Sequence, residues 1–153
     1  MLQLLLLLAC ADPTQDDSST TCNEANEACA PGSCDGEGGN MLPGADCLSC
    51  HSSGSGEEEA KAFSVAGTAF ADMDGTEALS GAVIRVTGDD GTVIELTSNS
   101  SGNFYTEEPV VYPITAEVEV GGTVQAMSQS VETGACSSCH SCAGSAGGKL
   151  TGP

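Results

Sequence analysis

The chain has 153 residues, 22 acidic side chains against three basic ones, and a formal charge of −19. With so few Lys and Arg it cannot bind nucleic acid through phosphate contacts or hold anionic lipid with a basic patch. Aromatics are 3 % of the chain and Trp is absent, so a large self-sufficient side-chain core is not expected; 20 Gly and nine Cys point instead to a loop-rich exported protein.

Residues 1–9, MLQLLLLLA, read as the apolar part of a secretory signal, too short to span a bilayer. The stretch Leu7-Leu8-Ala9-Cys10 resembles a bacterial lipoprotein lipobox. That resemblance implies cleavage before Cys10, lipidation of its sulfur and a stable hold on a membrane, on the periplasmic or cell-surface side. An ordinary cleaved signal with an incidental Cys10 is the alternative. Residues 10–40 are acidic, polar and poor in apolar groups, as expected of a flexible tether, interrupted by Cys22, Cys29 and Cys34. Residues 41–62 form a first Cys-rich segment with a solvated hinge, GSGEEEAK, at 54–61 and a helical turn expected near Glu57–Ala62.

From residue 63 to 130 the pattern changes to short alternating runs. Strands are predicted at 63–70, 82–86, 92–97, 103–105, 114–120 and 123–127, each with one face buried. Asp74-Gly75, Asp90-Gly91, Ser101-Gly102 and Gly121-Gly122 separate them as turns. The expected fold is all-β, a small antiparallel Ig-like sandwich flanked by irregular Cys-rich segments. Ala66-Gly67-Thr68, Leu79-Ser80-Gly81-Ala82-Val83, Asp90-Gly91 and Ser101-Gly102-Asn103-Phe104 together resemble the carboxypeptidase regulatory-like, prealbumin-like family. The resemblance implies a fold and an interaction or structural role, not an activity. Residues 131–153 form a second Cys-rich segment, and its tail after Cys142 offers turn residues with little to pack.

Two motifs carry chemistry: Cys47-Leu48-Ser49-Cys50-His51 and Cys136-Ser137-Ser138-Cys139-His140. C-x-x-C-H is the spacing of c-type haem attachment. The two thiols add to the porphyrin vinyl groups, and the following His reaches the iron from the proximal side. The protein has two His, and each ends one of these motifs. Two haem c groups are therefore expected, held covalently by Cys47, Cys50, Cys136 and Cys139, with His51 and His140 as proximal iron ligands. No further His of this chain remains for the distal side, which must take a Met, a weaker ligand, a water or a His from another chain; Met41 and Met127, each upstream of one motif, are the candidate distal ligands. Direct and crossed pairings are both open, and Met127 could equally be an inward strand residue. Met73 lies in the Asp74-Gly75 turn and is read as incidental.

Set against haem are a zinc site, for which the two Cys pairs lie too far apart in sequence to form a ribbon, and thiol–disulfide exchange, which would need a βαβ context. The remaining rival is a scaffold in which these cysteines are all disulfides. With Cys10 lipidated and four thiols on haem, Cys22, Cys29, Cys34 and Cys142 remain for two disulfides, and Cys142 could tie the second motif to the N-terminal island. The chain also resembles exported haem-motif lipoproteins of bacteria. The expected function is that of a membrane-anchored dihaem electron carrier with a basic redox protein as partner and self-association as an option. No base or nucleophile pair suggests an enzyme. The alternative is a haem-free, disulfide-stapled interaction module on the cell envelope.

Overall fold

Alternation of apolar and polar residues, broken by glycine turns, folds the middle of the chain into two facing sheets. The computed structural model describes residues 41–53 and 61–153. Its strands are β1 (Val65–Phe70), β2 (Val83–Thr87), β3 (Val93–Thr97), β4 (Asn103–Thr106), β5 (Thr115–Val120), β6 (Thr123–Ala126) and β7 (Leu150–Thr151). One sheet has the order β4-β1-β7 and the other β3-β2-β5-β6. The chain is thus an all-β sandwich, antiparallel except where β7 runs parallel to β1. Among the described residues no helix is long and apolar enough to cross a membrane.

The core lies between the sheets. In β2, Ile84 and Val86 point inward, and Val118 meets Ile84 across the β2–β5 register. Val65 and Ala69 of β1, with Phe104 of β4, close it from the other side. On the outer face of β2, Arg85 reaches Glu95 at 3.0 Å, Glu117 at 3.3 Å and Glu119 at 2.7 Å. Such exposed pairs contribute little to stability, but they consume one of the three basic side chains. Lys61 pairs with Glu107 at 2.9 Å. Lys149 is 5 % exposed, its Nζ 5.7 Å from the centre of the Phe70 ring. No basic group is left to offset the acidic surface.

Three sequence expectations change. The tail packs: Leu150 lies against the core, and β7 pairs with Ala69–Phe70. Gly and Ser around Lys149-Leu150-Thr151 hide this strand, whose partner is far away in sequence. Second, β1 is buried on both faces along its whole length, because the first Cys-rich segment covers the face turned away from the core. Third, Met73 packs its methyl against Gly148, and Thr151 Oγ1 donates to its sulfur at 3.9 Å, so it helps to seat the tail. The helical turn expected near Glu57–Ala62 falls mostly outside the described residues; Lys61 and Ala62 are irregular. The signal, tether, Cys10, Cys22, Cys29 and Cys34 also lie outside them.

Candidate functional site

Strand β1 is the platform for both motifs. The first segment crosses its outward face, antiparallel to it. Asn103 Nδ2 donates to the Met41 carbonyl, Gly44 N–H donates to Thr68 Oγ1 at 2.8 Å, and at the far end Phe63 N–H donates to the His51 carbonyl at 2.8 Å. The second segment docks on the free edge of β1. Ala135 bridges in parallel to Ala66, with Ala66 N–H donating to the Gly134 carbonyl at 2.9 Å. The chain then leaves as the helical turn α1 (Cys136–Cys139) and returns to the same edge as β7. An excursion pinned at both ends to one strand holds its motif in a fixed place.

The two motifs adopt one geometry. Cys47–Ser49 is a 3-10 turn and Cys136–Cys139 an α turn, yet in both the histidine N–H donates to the carbonyl of the first cysteine at 2.8 Å. The first thiol of each pair donates to the carbonyl two residues before it, Cys47 to Ala45 and Cys136 to Gly134, at 3.6 Å. Ser49 Oγ donates to the Asp46 carbonyl at 2.6 Å, and Ser138 Oγ to the Ala135 carbonyl at 2.7 Å. The same hydroxyls lie 3.8 and 3.9 Å from the sulfurs of Cys50 and Cys139. These serines escaped the sequence reading, although both motifs are C-x-S-C-H. A hydroxyl that bonds back into the turn fixes the second thiol beside it.

The first histidine is aimed by backbone oxygen. His51 Nδ1 lies 3.0 Å from the Lys61 carbonyl. A carbonyl only accepts, so Nδ1 carries a proton, which leaves Nε2 as the nitrogen that would meet a metal. Burial pulls the pKa of His140 below the ordinary value, against a smaller opposing effect of the Gly148 backbone. A neutral imidazole is the form a metal requires.

The first thiol of each motif is perturbed as well. Burial pushes the Cys136 thiol up to about 12, and the nearby charge of Cys47 pushes it in the same direction. Burial likewise raises Cys47. Cys136 packs on Gly67 of β1, where a Cβ would come within 2.7 Å of the Cys136 Cβ and 2.8 Å of the Phe104 ring. None of Cys47, Cys50, Cys136 and Cys139 is in a disulfide. Cys142 is disulfide-bonded, and its partner lies outside the described residues.

The motifs differ in what surrounds them. A cleft of about 330 Å³ runs from Cys136, Cys139 and His140 into the sandwich, past Met127 to Val86, Ile114 and Val118. Its mouth presents two thiols, an imidazole and a thioether, and its floor is the apolar core. This donor set and this unfilled space fit one edge of a haem. The first motif does not line this cleft: Cys50 is exposed, and His51 lies on the Phe63 ring. Its thiols and imidazole fit a haem at the surface. Met127 is therefore placed with its own motif, half-buried at the cleft and outside the core, while Met41 is absent from the cleft. Among the described residues no three His, Cys, Asp or Glu side chains converge as a protein-ligated metal ion would need. A haem iron takes its equatorial ligands from the porphyrin and needs no such cluster.

Comparison with protein-family models, with curated proteins and with solved structures returned no match.

Proposed function

We propose that this protein is a dihaem c-type cytochrome, anchored to the outside of a bacterial membrane through Cys10, that carries single electrons and performs no catalytic turnover. One observation supports this reading most. Two C-x-S-C-H segments, far apart in the chain, fold into the same turn with the same internal hydrogen bonds and both dock on one strand. Disulfide scaffolding gives no reason for this duplication, nor for the histidine at the end of each turn, whose N–H closes on the carbonyl of the first cysteine.

Bound haem would supply a one-electron iron couple. The chain's own part is attachment through Cys47, Cys50, Cys136 and Cys139 and ligation through His51 and His140. Met127 is the candidate thioether ligand on the distal side of the second site, where it would raise the potential relative to a second histidine. The apolar floor of the cleft excludes water from that site, whereas the first stays open to solvent. Attachment points docked on the same strand favour transfer between the two groups. An acidic surface with all three basic side chains committed favours a basic redox partner, held by forces that salt screens.

Spectroelectrochemical titration of the purified, loaded protein tests the carrier role. Two reversible one-electron transitions per chain are expected, and Met127→Leu should lower the higher of the two midpoints while the other stays in place. A protein that takes up no electrons reversibly would instead be the disulfide-linked interaction module, for which the Cys142 bond is the supporting observation.

A further inference from the structure

We propose that Phe63 and Tyr105 are positioning residues for the first site, forming a surface stack that sets the orientation and electron-donating strength of the His51 imidazole. The inference rests on the haem reading of the first motif. The His51 ring lies on Phe63 with centroids 4.4 Å apart and planes 18° from parallel. Phe63 lies in turn on Tyr105, at 4.6 Å and 23°. The stack fixes the tilt of the imidazole, and the bond from Nδ1 to the Lys61 carbonyl at 3.0 Å fixes its rotation in the plane. Two constraints at right angles leave the ring one orientation.

The arrangement is anchored at both ends. Phe63 N–H donates to the His51 carbonyl, which closes the loop between them, and Tyr105 pairs with Ala66 across the β4–β1 register. Core packing does not account for it, since Tyr105 remains 44 % exposed. The second motif, matched to the first bond for bond in its turn, has no ring on its histidine among the described residues; His140 lines the cleft instead. The stack is therefore specific to the site that has no apolar cleft.

Its chemical effect has a definite sign. An imidazole that donates to ferric iron gains positive character, and an aromatic face attracts positive charge. The stack thus favours the oxidised state of the first site and lowers its potential.

The test uses the full-length, loaded protein with Phe63→Leu and Tyr105→Ala, and with Phe63→Tyr as the conservative rescue. Both disruptive variants should keep two covalent haems. One midpoint should move upward, by an amount equal to about a two- to fivefold change in the oxidised-to-reduced ratio at the original midpoint. The other midpoint should stay in place, the low-spin electron paramagnetic resonance signal of the shifted site should broaden, and Phe63→Tyr should restore both. Unchanged midpoints and signals in a doubly loaded Tyr105→Ala protein would overturn the proposal. The haem-free chain separates this from failure of the haem reading. There the ring protons of His51 should resonate upfield through the ring current of Phe63 and return toward ordinary values in Phe63→Leu. Ordinary shifts in the unmodified haem-free chain would overturn the stack itself, whether or not haem binds.

Discussion

Replacing Cys136 and Cys139 together by alanine should remove one haem and about 4 kcal/mol of stability, whereas the same change at Cys47 and Cys50 should remove one haem and little stability. The difference comes from what each group would cover. The second motif stands over a cleft of about 330 Å³ whose floor is the sandwich core. A haem edge that removes on the order of 150 Å² of apolar surface from water there contributes ~4 kcal/mol at ~25 cal/mol per Å². A haem on the first motif would lie on the outer side of β1, beside an exposed Cys50. The alanine changes have a cost of their own at Cys136, which packs on Gly67. Urea unfolding of each variant, made with and without the haem-attachment machinery, separates the two contributions. The predicted ~4 kcal/mol is the part that appears only in loaded protein. Equal losses from the two double variants would mean that the cleft does not take the cofactor.

The second large effect needs no cofactor. Gly134→Ala should destabilise the fold by roughly 3 kcal/mol, at the upper end of overpacking costs, and lower the thermal midpoint by on the order of 10–20 °C. A Cβ at this position would fall 1.9 Å from the Ser64 carbonyl oxygen and 2.9 Å from the Val65 Cα. Ser64 cannot give way. Its N–H donates to Thr106 at 2.8 Å, and its carbonyl already accepts from the Tyr112 hydroxyl at 2.8 Å. The second segment must therefore back away from β1, breaking the Ala66–Gly134 bond and lifting Cys136 from Gly67. Calorimetry on the unmodified and variant chains reads the shift; a midpoint within a few degrees of the original would show that the segment is not seated on β1 as described.

Much of the fold could be read from the chain because its strands carry their own signals. Val83–Thr87, Val93–Thr97 and Thr115–Val120 alternate cleanly and are bounded by glycine turns, and they form where the pattern places them. β7 could not be read this way. Leu150-Thr151 has no alternation to show and becomes a strand only because β1 has an open edge beside it. The double burial of β1 was hidden for a related reason, since a Gly/Pro-rich segment far from any strand pattern covers Thr68 and Phe70.

At the candidate site, the thiols and histidines were legible from spacing alone. Their meeting on one strand was not, because it depends on a crossing by the first segment and an edge docking by the second. Ser49 and Ser138 could have been noticed as the repeated third residue of both motifs. Phe63 read as the first residue of a strand, and only the tertiary structure turns it toward His51. The cleft had no sequence signal, since it is space that the side chains of two sheets and an excursion leave unfilled.

The most direct measurement is the number of haems bound covalently per chain, from the pyridine haemochrome spectrum and intact mass of protein produced with the c-type maturation machinery. Two haems, surviving acid–acetone extraction and reduced to one by Cys50→Ala, are the predicted result. A colourless protein of unmodified mass under those conditions would contradict the cytochrome reading outright.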